Sequence, residues 1–242
     1  MLFQEIEIAR LLLIFLMHTF LSLLLYYLAF KVIKRNRNRI TLALGAFYFF
    51  PATGFLLNLI FLPFSSSLGG YILYFSAAFL ILFGFIFLIL FIINLLNMKM
   101  YYSIKKQLII VIIYGLADLI LLLWPGGITI NEQTNWTPSF SIQFFIISYL
   151  FFTLVISFPS ILLSIKLYHT FTDKRLKKKF GLFLIGIIGM FSAFYGLILY
   201  NTSELTDAVI ILENFKSIWT VLVFCIVIPS GLLIYYGIGQ NL

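Results

Sequence analysis

One cysteine, two histidines and eight acids are all that the 242 residues bring to metal, redox or acid–base chemistry. Cys225 has no partner for an internal disulfide and none for a paired-cysteine metal site. Lying in an apolar stretch, it reads as an inert buried thiol. His18 and His169 fall at opposite depths, which excludes a three-histidine zinc centre. No GxxxxGK phosphate loop, HExxH helix or GxSxG elbow occurs. Charge is scarce too: 10% of residues are charged, against about 25% in soluble domains. These shortages point away from an enzyme, and no catalytic residue, metal or cofactor is expected.

What the chain has is hydrocarbon. Apolar residues make up 63%, and mean hydropathy is +1.12. Seven apolar segments can be drawn, at about 8–30, 40–62, 71–96, 107–124, 140–166, 180–200 and 216–238. Crossing about 30 Å of lipid takes roughly 20 helical residues. Lipid offers backbone amides no partner, so helices are predicted rather than strands. Fourteen of the sixteen Lys and Arg residues sit in three patches, Lys31 to Arg39, Lys99 to Lys106 and Lys166 to Lys179. The alternate gaps hold Glu5, Glu7, Glu132, Glu204, Asp207 and Glu213. Cytoplasmic loops are enriched in Lys and Arg, so the alternation predicts an outside N-terminus and a cytoplasmic C-terminus. Acids ahead of the first apolar run, with no small-residue cleavage site after it, mark that run as a retained span.

Aromatic placement points the same way. Trp124, Trp136 and Trp219 fall at or beyond predicted outer ends. Tyr26-Tyr27, Tyr101-Tyr102, Tyr168 and Tyr235-Tyr236 fall near inner ones, as interfacial belts require. The expectation is a single all-α domain over residues 1–242: a polytopic membrane helix bundle with seven transmembrane helices, multi-pass in the cell membrane. Basic residues beside spans read as topology signals and contacts for anionic lipid headgroups, not for nucleic acid.

Asp118 is the one acid inside a predicted span. An ionised carboxylate there costs at least about 2.5 kcal/mol, so it needs a cavity, a partner or a proton. It is either a ligand, proton or ion contact, or a hydrogen-bonding group between helices. His18, about 6 Å deeper by helical rise, and Trp124 complete a candidate outward ligand pocket. A lone intramembrane imidazole is more commonly an interhelical bonding group, and Asn58, Asn94 and Asn97 need no other role. Lys174, Arg175, Lys177, Lys178 and Lys179, in the inner segment HTFTDKRLKKK, are the candidate contacts to a cytoplasmic protein or to lipid. Pro51, Pro159 and Pro229 interrupt spans two, five and seven as fixed kinks or hinges. In span six, Gly189 with Ala193 and Ser192 with Gly196 permit close helix approach, within the molecule or in a homo-oligomer. Pro125 to Ser139 reads as a polar, turn-forming outer loop. Asn135-Trp136-Thr137 and Asn201-Thr202-Ser203 match the N-glycosylation pattern, with Pro138 against the first.

Seven spans raise the comparison with G-protein-coupled receptors, but NLLNMKMYY lacks their acid–Arg pair and PSGLLIYY their Asn-Pro and following Tyr. Lys216 lies at the outer edge of span seven, which disfavours a retinal-binding rhodopsin. The order of other features resembles the N-terminal seven-transmembrane sensor region of prokaryotic histidine kinases. The resemblance rests on an outside start, KVIKRNRNRI after span one and the small-residue-rich ALGAFYFFPATGFLL. An aromatic span three and the long basic KLYHTFTDKRLKKKFGLFLIG continue it. It covers nearly the whole chain and carries over no site residue. It implies a stand-alone sensor bundle that signals through a separate cytoplasmic protein. The functional expectation is a non-enzymatic, receptor-like module relaying an external or lipid signal through its basic loops. The alternative is a small-solute or ion transporter or channel subunit, for which proline-broken spans two and five argue.

Overall fold

The computed structural model describes residues 2–96, 103–202 and 210–238, with side chains except at 2–14, 210–217 and 220. Seven long helices run through the described residues. They are α1 (Leu2–Arg35), α2 (Arg39–Phe64), α3 (Leu68–Leu96), α4 (Ile104–Leu122), α5 (Ile142–Thr170), α6 (Lys174–Tyr200) and α7 (Ile210–Gly237). Five are long and apolar enough to cross a membrane: Phe15–Arg35 of α1, and α2, α3, α5 and α6. Lys105, Lys106 and Asp118 dilute α4, and in α7 the described side chains run unbroken only over Val221–Gly237. The chain is an all-α bundle of membrane-type helices.

Several helices begin on polar caps that satisfy their first amides. Thr41 N donates to Asn38 Oδ1 at 2.9 Å, and Asn38 N donates back to Thr41 Oγ1 at 3.1 Å, a closed capping box. Asp173 accepts from Arg175 N at 2.8 Å and so starts α6 inside the basic segment, six residues before its apolar run. Helices therefore outrun the apolar limits, because water beyond the lipid tolerates charged turns.

Packing arranges α1, α2, α3, α5, α6 and α7 in a closed ring, each against the next, with α7 returning to α1. Its centre is filled by aromatic rings. Phe85 of α3 lies 5.0 Å from Phe152 of α5 and 5.6 Å from Phe194 of α6, between centroids. Phe47 of α2 extends the cluster at 5.9 Å from Phe85. Tyr48, fully buried, donates across the ring to Gly231 O of α7 at 2.9 Å.

Glycines set the closest approaches. A Cβ on Gly186 of α6 would meet Ser230 O of α7 at 2.7 Å and Ile234 N at 2.9 Å. Gly189 packs on the Ser230 side chain and Gly196 on the Trp219 ring. Gly186, Gly189 and Gly196 of span six thus pack inside the molecule, while Ser192 is exposed. Pro51, inside the continuous α2, seats its ring against Gly84 of α3. In α5, residues Thr153–Ser157 form a π turn just before Pro159. Proline supplies no amide and crowds the carbonyl four residues back, and the wider turn absorbs both defects. Thr153 Oγ1 joins Tyr195 Oη of α6 there at 2.7 Å.

The stretch between α4 and α5 holds a small hairpin, β1 (Ile128–Thr129) antiparallel to β2 (Ser139–Phe140). Phe140 is buried, and its N–H donates to Asn201 O at 2.7 Å, clipping the hairpin to the end of α6. Asn201 also spends its side-chain amide on Leu197 O at 3.0 Å.

Candidate functional site

The charged ends of α1 and α6 meet the end of α7 around an open groove of about 740 Å³. Tyr27, Phe30, Lys31, Lys34 and Arg35 line it from α1, Lys179 from α6 and Tyr235 from α7. Four cations face one concavity, and none of these lining residues is a carboxylate. Local helical spacing builds half of it: Tyr27 with Lys31, and Phe30 with Lys34, are four apart and share a face. Lys31 Nζ donates to Tyr27 Oη at 3.1 Å and lies 5.2 Å from the centroids of both the Tyr27 and Tyr235 rings. That is within cation–π range. Lys34 Nζ sits 5.6 Å from the Phe30 ring. The third wall is set by helix contact, since a Cβ on Gly237 of α7 would stand 2.8 Å from Lys179 O. Such a site can hold a multiply bonded oxyanion: ammonium and guanidinium groups supply donors, and Tyr27 Oη, accepting from Lys31, keeps its own hydrogen to donate.

The residues picked from the sequence distribute differently. Lys179 enters the groove, while Lys174, Arg175 and Lys178 are exposed on the first turns of α6. Lys177 leans over Tyr168 at 4.8 Å. His18 of α1 lies against Phe55 and Asn58 of α2 and Phe224 of α7, with Asn58 Nδ2 at 3.4 Å from Nε2. Asp118 is 0% exposed on α4, and neither carboxylate oxygen has a hydrogen-bond partner among the described residues. Trp124, two residues beyond α4, is 43% exposed. The contacts described for His18 are to α2 and α7, whereas Asp118 lies on α4 and Trp124 just after it. Asn94 of α3 pairs with Gln107 of α4, which donates back at 2.8 Å, whereas Asn97, Tyr101 and Tyr102 lie outside the described residues.

Sequence reading passed over Tyr27, Phe30, Lys31, Lys34, Arg35 and Tyr235 as a site because it treated the first basic patch as a topology signal with a general attraction for anionic headgroups. The aromatic–Lys spacing of four was the available clue. The tyrosine pairs also split: Tyr26 donates to Thr53 Oγ1 of α2 at 3.0 Å and Tyr235 is buried, leaving Tyr27 and Tyr236 exposed. No known protein family, curated protein or solved structure matches the chain.

Proposed function

We propose that the chain is a non-enzymatic, receptor-like module of the cell membrane. In this reading it has seven spans, an outside N-terminus and basic loops in the cytoplasm. It stands as a separate counterpart of the sensor region that precedes histidine kinases, and passes an external or lipid signal to a cytoplasmic signalling protein. One observation carries the reading: Lys179, from the third basic patch, lines the same groove as Lys31, Lys34 and Arg35 from the first. A change in how α1, α6 and α7 pack must then move the basic face offered to the cytoplasm. The transporter alternative draws on the π turn before Pro159, a broken helix of the sort that lines transport sites. The rings of Phe85, Phe152 and Phe194 that fill the bundle's centre weigh against it.

The test pairs two measurements on the full chain in liposomes. Spin labels at Asn36→Cys and Leu176→Cys, with Cys225→Ser, report the distance between the ends of α1 and α6. A shift of about 2 Å or more between thin and thick, or neutral and anionic, bilayers is expected, the size of ordinary helix displacements. Ion and solute flux is expected at the level of empty liposomes. An unchanged distance together with flux that fails in Asp118→Asn would replace the sensor by the transporter.

A further inference from the structure

We propose that the groove between α1, α6 and α7 is a binding site for one anionic phospholipid, its phosphate held by the four cations and one acyl chain lying along α1. The inference rests on the reading of this bundle as membrane-embedded, not on the relay.

The headgroup end is described above: Lys31, Lys34, Arg35 and Lys179 around one concavity, with the Tyr27 hydroxyl beside Lys31. An anion there gains charge-assisted bonds at a place where lipid lowers the dielectric. The acyl end is what selects a lipid over free phosphate. Leu16, Phe20, Leu23, Tyr27 and Phe30 are all exposed on α1, spaced four, three, four and three, so they form one straight stripe that runs into the groove. From Leu16 to Phe30 the stripe measures about 21 Å at helical rise. That covers the roughly 15 Å depth of one leaflet's hydrocarbon. An apolar track ending in a cluster of cations complements an anionic amphiphile in both parts. A bound lipid would bridge α1 to α6, since Lys31 and Lys179 come from different helices.

The experiment titrates the full chain in dodecyl maltoside micelles with dioleoyl phosphatidylglycerol or dioleoyl phosphatidylcholine and counts bound lipid by native mass spectrometry. Phosphatidylglycerol is expected to bind about tenfold or more tighter than phosphatidylcholine. Lys31→Gln with Lys179→Gln is expected to weaken it by about tenfold or more, as two interfacial cations should. Lys105→Gln with Lys106→Gln, the same charge change on exposed residues outside the groove, should leave it unaltered. Lys31→Arg with Lys179→Arg, which keeps the charge, should retain binding. Inorganic phosphate at millimolar concentration should not displace the lipid. Equal affinity for the two lipids, or equal loss in both Gln pairs, would overturn the site. Displacement by inorganic phosphate would make it a soluble-anion pocket and overturn the lipid assignment. Should the groove variant fold poorly, the unmodified protein decides alone: phosphatidylglycerol must raise its melting temperature more than phosphatidylcholine does. Binding with no change in the Asn36–Leu176 distance would keep the site and remove the relay, so the two readings fail separately.

Discussion

Alanine at Gly186 tests whether α6 and α7 are held at backbone contact. The new Cβ would stand 2.7 Å from Ser230 O, 2.8 Å from Ile234 Cγ1 and 2.9 Å from Ile234 N. Two of those three atoms are main chain, so no rotamer change relieves the overlap. α7 must retreat by about 0.7 Å to bring 2.7 Å to the 3.4 Å of ordinary contact, and a close-packed interior transmits that strain. Overpacking of this kind costs about 1–3 kcal/mol, against which alanine regains up to about 1 kcal/mol of helix propensity. The net loss is about 0–2 kcal/mol, a melting temperature lower by up to about 8 °C for a chain of this size. Gly181 in the same helix is the control, because its Cβ would meet nothing within 4 Å. Gly181→Ala should keep the propensity gain and melt about 2–4 °C higher. The retreat of α7 also pulls Gly231 from the Tyr48 hydroxyl, so Gly186→Ala and Tyr48→Phe should combine to less than the sum of their effects. Thermal denaturation of the purified chain in detergent, read by circular dichroism, gives all four values. Equal melting of the two alanine variants would refute the close contact, and strict additivity with Tyr48→Phe would refute the coupling.

Three further outcomes follow from individual contacts. Tyr48→Phe alone removes one interhelical hydrogen bond and should lower stability by about 0.6 kcal/mol, and by no more than about 1.7 kcal/mol, in the same denaturation assay. Asp118→Leu removes a buried carboxylate whose two oxygens are unbonded among the described residues, so it should stabilise the fold by about 1–3 kcal/mol. A loss of stability there would mean that the carboxylate is bonded in the membrane. A double-mutant cycle of Thr153→Val and Tyr195→Phe should give a coupling of about 0.6–1.7 kcal/mol across the π turn. Zero coupling would detach that turn from α6.

Helix identity was legible because lipid leaves backbone amides one option, and the apolar runs around Thr41 to Phe64 or Leu68 to Leu96 admit no other reading. Helix ends were less legible. Asp173 starts α6 among lysines because capping, not hydropathy, sets the first turn. Pro159 announced an interruption, but a kink, a hinge and a π turn share that signal. Only the packing of Phe152 and the bond from Thr153 to Tyr195 select the π turn. In the loop, consecutive left-handed residues at Asn135 and Trp136, φ 50° and 56°, are unreadable from composition because tryptophan seldom adopts that conformation. The groove needed three helices brought together, and Gly237 against Lys179 O is a contact between residues 58 positions apart that no local pattern encodes.

The position of α4 explains why the acid it carries is the hardest residue to read. It stands outside the ring against α3, presenting Leu108, Ile112, Leu116 and Ile120 outward. Lipid is as apolar as those side chains, so burial of hydrocarbon gives α4 little reason to dock. What holds it is polar and aromatic. Gln107 pairs with Asn94, Tyr114 donates to Leu82 O at 3.0 Å, and the Tyr114 ring stacks on Phe151 of α5 at 5.8 Å. Asp118 is one turn from Tyr114 and also faces inward, where it adds desolvation cost with no bond among the described residues in return. A helix tied by a few bonds and opposed by one buried carboxylate sits near the low end of the bundle's local stability. Its amides should therefore exchange with solvent deuterium faster than those of α3, which packs against helices on several sides. Asp118→Leu should slow that exchange while Gln107→Leu hastens it. The opposite order would mean that the carboxylate anchors α4.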